Sequence, residues 1–150
     1  VCGVMGMATF SDEEALVRLG EELMAQLGYE PVGFTSGTAA LESFRLTPRR
    51  FDIVITDEAM PEMTGSELVR ELRKIRPDVP VLMMTGYVSA SLTARARQAG
   101  INEVLGKPLQ SREIARSVAA ALSRRASPPR GPHPGDSGPA NRRAESPRLA

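Results

Sequence analysis

Five short apolar runs alternate with five stretches of helical spacing over the first 123 residues, and this alternation constrains the fold most strongly. The runs near 4–10, 51–56 (FDIVIT) and 79–84 (VPVLMM) are β-branched or long-chain, as strands buried on both faces are. Two weaker candidates are 29–34 (YEPVGF), where Pro31 predicts an edge or bulged strand, and 103–105 (EVL). Leu16, Leu19, Leu23 and Leu27 follow the 3/4 spacing of a buried helical face, with Ser11 or Asp12 as N-cap and Gly28 as the stop. Further helices are predicted over 36–46, with Ser36 as cap, and from Thr64 to about Ile75. There Thr64 and Glu67 are spaced as a capping box, and Pro77 lies beyond the end. A fourth covers about 89–99 and stops at Gly100, and the last covers about 110–123. Strands and helices in strict alternation predict an α/β protein, a doubly wound parallel sheet covered on both faces within one domain.

From Arg124 the pattern ends. Residues 124–150 hold six prolines and three glycines, and Leu149 is their only large apolar side chain. Such a segment cannot bury enough surface to offset its ordering entropy, so the division expected is a domain over 1–123 and a disordered tail over 124–150. The tail also holds six arginines against Asp136 and Glu145, which leaves the body mildly acidic although the whole chain carries +1. His133, the only histidine, stands there without metal-ligand company. Cys2 is the only cysteine, so an intrachain disulfide is excluded and a reducing compartment fits. No apolar run approaches the roughly 18–20 residues that cross a bilayer. The opening VCGVMGMATF lacks the basic region of a signal peptide, so a cytoplasmic location is expected.

In open α/β sheets the loops that follow the strands' carboxyl ends gather along one edge, and ligands bind there. This chain puts Ser11, Asp12 and Glu13 after the first strand, and Asp57, Glu58, Ala59, Met60 and Pro61 after the third. Thr85 and Gly86 follow the fourth, and Lys107 and Pro108 the fifth. Carboxylates gathered together repel unless they share a cation, and an all-oxygen set suits Mg²⁺. A lysine and a hydroxyl beside them suit the oxygens of a phosphoryl group carried by one carboxylate. An aspartyl phosphate on Asp57, with Mg²⁺ for its charge and Lys107 and Thr85 for its oxygens, follows as a coherent chemistry. Each residue also has a plainer reading: Asp12 and Asp57 as caps, Thr85 as a strand exit and Lys107 as a solvated loop lysine. Those plainer readings would all have to hold at the same edge of one sheet.

The stretch DIVITDEAMPEMTG resembles the third-strand motif of the receiver domains of two-component response regulators. In that motif an aspartate is followed by Met-Pro and, eight residues on, by glycine. VPVLMMTGY resembles the family's fourth strand and GINEVLGKPL its fifth, which ends in Lys-Pro. The separations, 28 from Asp57 to Thr85 and 22 from Thr85 to Lys107, are similar too. The resemblance covers roughly residues 4–122 and implies a flavodoxin-like (βα)5 fold with a five-stranded parallel sheet of order 2-1-3-4-5, a common order of doubly wound sheets. It implies that Asp57 is the phosphoacceptor, the phosphoryl group coming from a histidine kinase or a phosphotransfer protein. It makes Asp12 a Mg²⁺ ligand together with Asp57 and the backbone carbonyl of Ala59, Lys107 the partner of the phosphoryl group, and Pro108 a cis-proline. A downstream protein, read out through the surface around the fourth helix and fifth strand, is implied as well.

Two residues depart from the family pattern. Ser11 stands where the first of a pair of acids is usual, so the pair is Ser11-Asp12, or Asp12-Glu13 if the register slips. Val104 stands where many receivers have a Tyr or Phe that turns inward on activation. A receiver that has lost phosphorylation and serves as an interaction module is therefore the second reading. A phosphatase of the haloacid-dehalogenase kind wants an aspartate two residues after the nucleophile, where this chain has Ala59. A nucleotide-binding fold wants a G-x-G-x-x-G or P-loop after a strand, and none is present. The tail shows no helix-turn-helix, so no DNA-binding domain is expected within the chain. The start at Val1 fits a piece of a larger protein. Of a stand-alone receiver and the C-terminal receiver of a hybrid histidine kinase, the second is preferred.

Overall fold

A computed structural model of the 150-residue chain describes residues 6–10 and 14–126. Ten elements alternate along it: β1 (Gly6–Phe10), α1 (Glu14–Gln26), β2 (Glu30–Phe34), α2 (Gly37–Leu46), β3 (Phe51–Asp57), α3 (Gly65–Ile75), β4 (Val81–Thr85), α4 (Ala90–Gln98), β5 (Glu103–Gly106) and α5 (Ser111–Ala126). The strands form one parallel sheet of order β2-β1-β3-β4-β5, the order that the resemblance implies.

The two-residue period of β3 divides the core. Val54, with Val81 and Met83 of β4, packs under α2, α3 and α4, where Phe44, Leu68, Val69, Leu72, Leu92 and Ala96 are buried. Ile53 and Ile55, with Leu82 and Leu105, face the other way and meet Met24 of α1 and Val118 and Ala121 of α5. Each fully buried side chain of this size contributes on the order of 1.5–3 kcal/mol. Phe44 stacks on Phe51 at 5.8 Å between ring centroids, which fixes α2 to the start of β3.

Helix ends follow the local signals. Ser36, Thr64 and Ser89 cap α2, α3 and α4, and α3 has the full capping box: Glu67 N–H donates to Thr64 Oγ1 and Thr64 N–H to Glu67 Oε2. Gly28 and Gly100, at φ +87° and +81°, close α1 and α4 in the left-handed conformation that glycine adopts without strain.

Three expectations differ from the structure. Of the stripe Leu19, Leu23 and Leu27, only Leu23 packs against the core, and it is partly buried. Leu19 is 61% and Leu27 41% exposed, and the buried residues are Val17 and Met24. At about 100° per residue the leucines lie roughly a third of a turn round the helix from that pair. Leu19 and Leu23 border an apolar groove of about 720 Å³ between α1 and α5, together with Leu109 and Ile114. The side chain of Leu16 and the caps Ser11 and Asp12 lie outside the described residues. The fourth strand begins at Val81 rather than at 79, because Pro80 has no N–H for the ladder, although its carbonyl still accepts from Val54 N at 2.9 Å. Finally, α5 runs on to Ala126, three residues into the stretch read as tail. Arg125 is held there by Asp52 at 2.8 Å. Residues 127–150 lie outside the description.

Candidate functional site

Register brings the strand ends into step. Phe10 pairs with Thr56, Asp57 with Met84, and Thr85 with Gly106, so β1, β3, β4 and β5 finish along one edge of the sheet. Asp57 is the last residue of β3, and the ladder continues for one more bond, from Glu58 N to Met84 O at 2.9 Å. The loop then closes on itself, since Gly65 N donates to Glu58 O at 3.1 Å. Gly65 is required at that crossing: a Cβ there would lie within clashing distance of the Asp57 carbonyl oxygen.

The Asp57 side chain is 2% exposed, and both of its oxygens have protein donors. Oδ1 accepts from Ala59 N at 3.1 Å, and Oδ2 accepts from Lys107 Nζ in an ion pair. Lys107 reaches it from the loop after β5, where its N–H donates to Thr85 O at 2.7 Å and the Lys107–Pro108 bond is cis, as the resemblance implies. A buried carboxylate without a countercharge is strongly disfavoured, and the Lys107 ammonium supplies that countercharge at the sheet edge.

Thr85 is buried on the neighbouring strand, but its hydroxyl is engaged in its own turn. It accepts from Tyr87 N and donates to Tyr87 O, both at 3.2 Å. Tyr87 is 78% exposed and Val88 also faces solvent. Val104 pairs with Met83 and packs against the core under α4. Of the predicted site residues, Asp57, Ala59 and Lys107 are in direct contact, and Thr85 stands one strand away. Ser11, Asp12 and Glu13 lie outside the described residues.

The donor set suits a hard cation as far as it is described. The Asp57 carboxylate is a hard oxygen ligand, and the carbonyl oxygen of exposed Ala59 accepts no hydrogen bond among the described residues. The described residues contain no cluster of three or more His, Cys, Asp or Glu side chains. Sequence reasoning assigned no role to Glu58 or Ser66, which are tightly joined beside the site. Ser66 N and Oγ both contact the Glu58 carboxylate. The only available signal was a carboxylate eight residues before a serine at a helix start.

A profile described as the response regulator receiver domain matches residues 10–119. The chain belongs to the response regulator receiver family. It is 30% identical over 111 residues to the response regulator receiver protein CpdR of Brucella abortus, covering 74% of this chain and 91% of that protein. It is 32% identical over 113 residues to the sensor kinase CckA of the same organism, covering 75% of this chain but 12% of the kinase. Among solved structures, a receiver domain from Clostridium thermocellum superposes with a TM-score of 0.78 at 27% identity, over 82% of this chain and 98% of the other. The chemotaxis protein CheY4 of Vibrio cholerae shares the fold at a TM-score of 0.76 and 24% identity, over 80% and 100% of the two chains. The protein is thus a receiver domain of two-component signalling, and the reading as a degenerate module is not favoured. No helix among the described residues is long and apolar enough to cross a membrane.

Proposed function

We propose that this receiver accepts a phosphoryl group on Asp57 from the phosphohistidine of a histidine kinase or phosphotransfer protein. The observation that carries the reading is a buried carboxylate at the carboxyl end of β3, paired with a lysine from the loop after β5. An Asp57 oxygen forms the new O–P bond while the donor's N–P bond breaks and its electron pair stays on the imidazole nitrogen. Lys107 then transfers its hydrogen bond from the carboxylate to a phosphoryl oxygen, so its charge follows the negative charge outward. Asp57, the Ala59 carbonyl and Asp12 would hold Mg²⁺, with Ser11 or Glu13 beside them, and the cation supplies charge neutralisation for the incoming oxygens.

Thr85 supplies the link to output. Its hydroxyl leaves the Tyr87 backbone to bind a phosphoryl oxygen, which frees the exposed Tyr87–Val88 segment ahead of α4. With Val104 in place of an aromatic residue, the change reaches a downstream partner protein through this segment rather than through a ring turning inward.

The test is incubation of the chain with a small acyl phosphate and Mg²⁺. Intact mass should show one added phosphoryl group, labile to hydroxylamine. The gain should vanish with a chelator and in Asp57→Asn. Labelling that persists in Asp57→Asn would refute the assignment.

A further inference from the structure

Glu58, next to the proposed phosphoacceptor, is fastened on three sides. Its N–H donates to Met84 O at 2.9 Å, which ties it to β4. Its carbonyl accepts from Gly65 N at 3.1 Å, and its carboxylate accepts from Ser66 N at 2.8 Å and contacts Ser66 Oγ at 2.9 and 3.1 Å. Ser66 is buried and lies in the first turn of α3, where backbone N–H groups have no partner within the helix. Thr64 Oγ1 takes the N–H of Glu67, and Glu58 takes that of Ser66 from outside the helix. The free end of the Asp57–Ala59 segment is thereby locked to both β4 and α3. A glutamate serving only solubility would point into water and keep its rotamer freedom.

We infer that Glu58 is a positioning residue, a latch onto α3 that presets the Asp57 carboxylate and the Ala59 carbonyl for the cation. The inference rests on the reading of the site given above. It differs from two plainer roles for the same side chain. As a cation ligand replacing the acid lost at Ser11, Glu58 would act through its charge. As an ordinary cap, it would act on the stability of α3 alone. The latch acts through geometry, since the carboxylate is turned to Ser66 and the group it positions is the backbone of the residue that follows. Groups that orient metal ligands typically change affinity about 10–100-fold when removed.

The test is titration of the ¹⁵N-labelled full chain with MgCl₂, following the Ala59 amide, for the wild type and Glu58→Ala, Glu58→Gln and Ser66→Ala, with urea unfolding of each. Glu58→Ala should weaken Mg²⁺ binding about ten-fold and Ser66→Ala about three-fold, while Glu58→Gln, whose amide oxygen still accepts from Ser66 N, stays within about two-fold. Glu58→Gln as weak as Glu58→Ala would overturn the latch in favour of a direct charge effect. A loss of stability with unchanged Mg²⁺ affinity would reduce Glu58 to a cap, and a wild type that binds no Mg²⁺ would leave nothing to position. If Glu58→Ala does not fold, Ser66→Ala decides: unchanged affinity there overturns the latch. A wild type that binds Mg²⁺ as expected but takes no phosphoryl group overturns the phosphoacceptor reading and leaves the latch standing.

Discussion

Asp57 is almost entirely shielded from water, whereas the Lys107 side chain remains 30% exposed. That difference makes the two halves of the pair unequal. Without its carboxylate charge, Lys107 can turn toward solvent and be hydrated. Without its lysine, the Asp57 carboxylate stays buried, with the Ala59 N–H as its remaining described donor. Lys107→Ala should therefore destabilise the metal-free protein by about 1–3 kcal/mol, while Asp57→Asn, which leaves no buried charge, should be near neutral or stabilising. Urea unfolding of both variants in a chelating buffer measures the difference, and equal losses would show that burial does not decide it. Asp57, Thr85 and Lys107 were all legible in the sequence, because each follows a strand whose end the topology places on one edge. The hydroxyl of Thr85, bonded to Tyr87, was not legible, since its rotamer depends on a turn that no spacing encodes. The Glu58–Ser66 contact was hidden for a similar reason: it exists only once the loop has closed at Gly65.

Local chemistry sets the elements where it is strong, and α3 is the clearest case. Its capping box is intact, its buried face holds Leu68, Val69 and Leu72, and Lys74 near its end pairs with Glu71 at 2.5 Å. That carboxyl titrates below its ordinary range, chiefly through the hydrogen bond from Lys74. Thr64→Ala removes the acceptor for Glu67 N–H and should cost about 1 kcal/mol, within the usual range for an N-cap. Thermal unfolding measures it, and Thr64→Ser, which keeps the hydroxyl, should recover most of the loss. Helix α1 shows where such reading fails. Its leucines form the more obvious stripe, yet its buried residues are Val17 and Met24, and of the leucines only Leu23 packs partly buried against the core. Glu21 also helps fix its rotation, accepting from Gly33 N on β2 at 2.7 Å. A helix between an edge strand and a neighbouring helix has two apolar sides, and periodicity reports their sum. Only packing shows which side faces the sheet.

At the scale of the molecule, the edge of the sheet opposite the site is held by charges far apart in sequence. Arg76 is buried and donates from Nη1 to Pro48 O at 3.0 Å and Phe51 O at 2.5 Å, and from Nε to Asp78 at 3.2 Å. Arg125 joins the end of α5 to Asp52 across 73 residues and also approaches Asp78 at 3.9 Å. The strand–helix alternation that predicted the sheet carries no trace of this network, because ion pairs have no period. Its pH dependence can be derived from Asp78. Partial burial raises that carboxyl's pKa, but the charges of Arg76 and Arg125 and its hydrogen bonds outweigh burial and hold it below the ordinary range. A carboxyl depressed in the folded state stabilises at pH values above its unfolded pKa of about 3.9, and the contribution is lost as pH falls through the lower folded value. With the Asp78 side chain 65% exposed, solvent screening should keep the contribution under about 1 kcal/mol. Asp78→Asn should therefore be less stable than the wild type near neutral pH, and the gap should close from about pH 5 downward as the wild-type carboxylate is protonated. Urea midpoints of the two proteins across that range measure the gap. If it stays constant into the acid region, Asp78 acts through its shape or its neutral hydrogen bonds, and the charge network does not fasten this edge of the sheet.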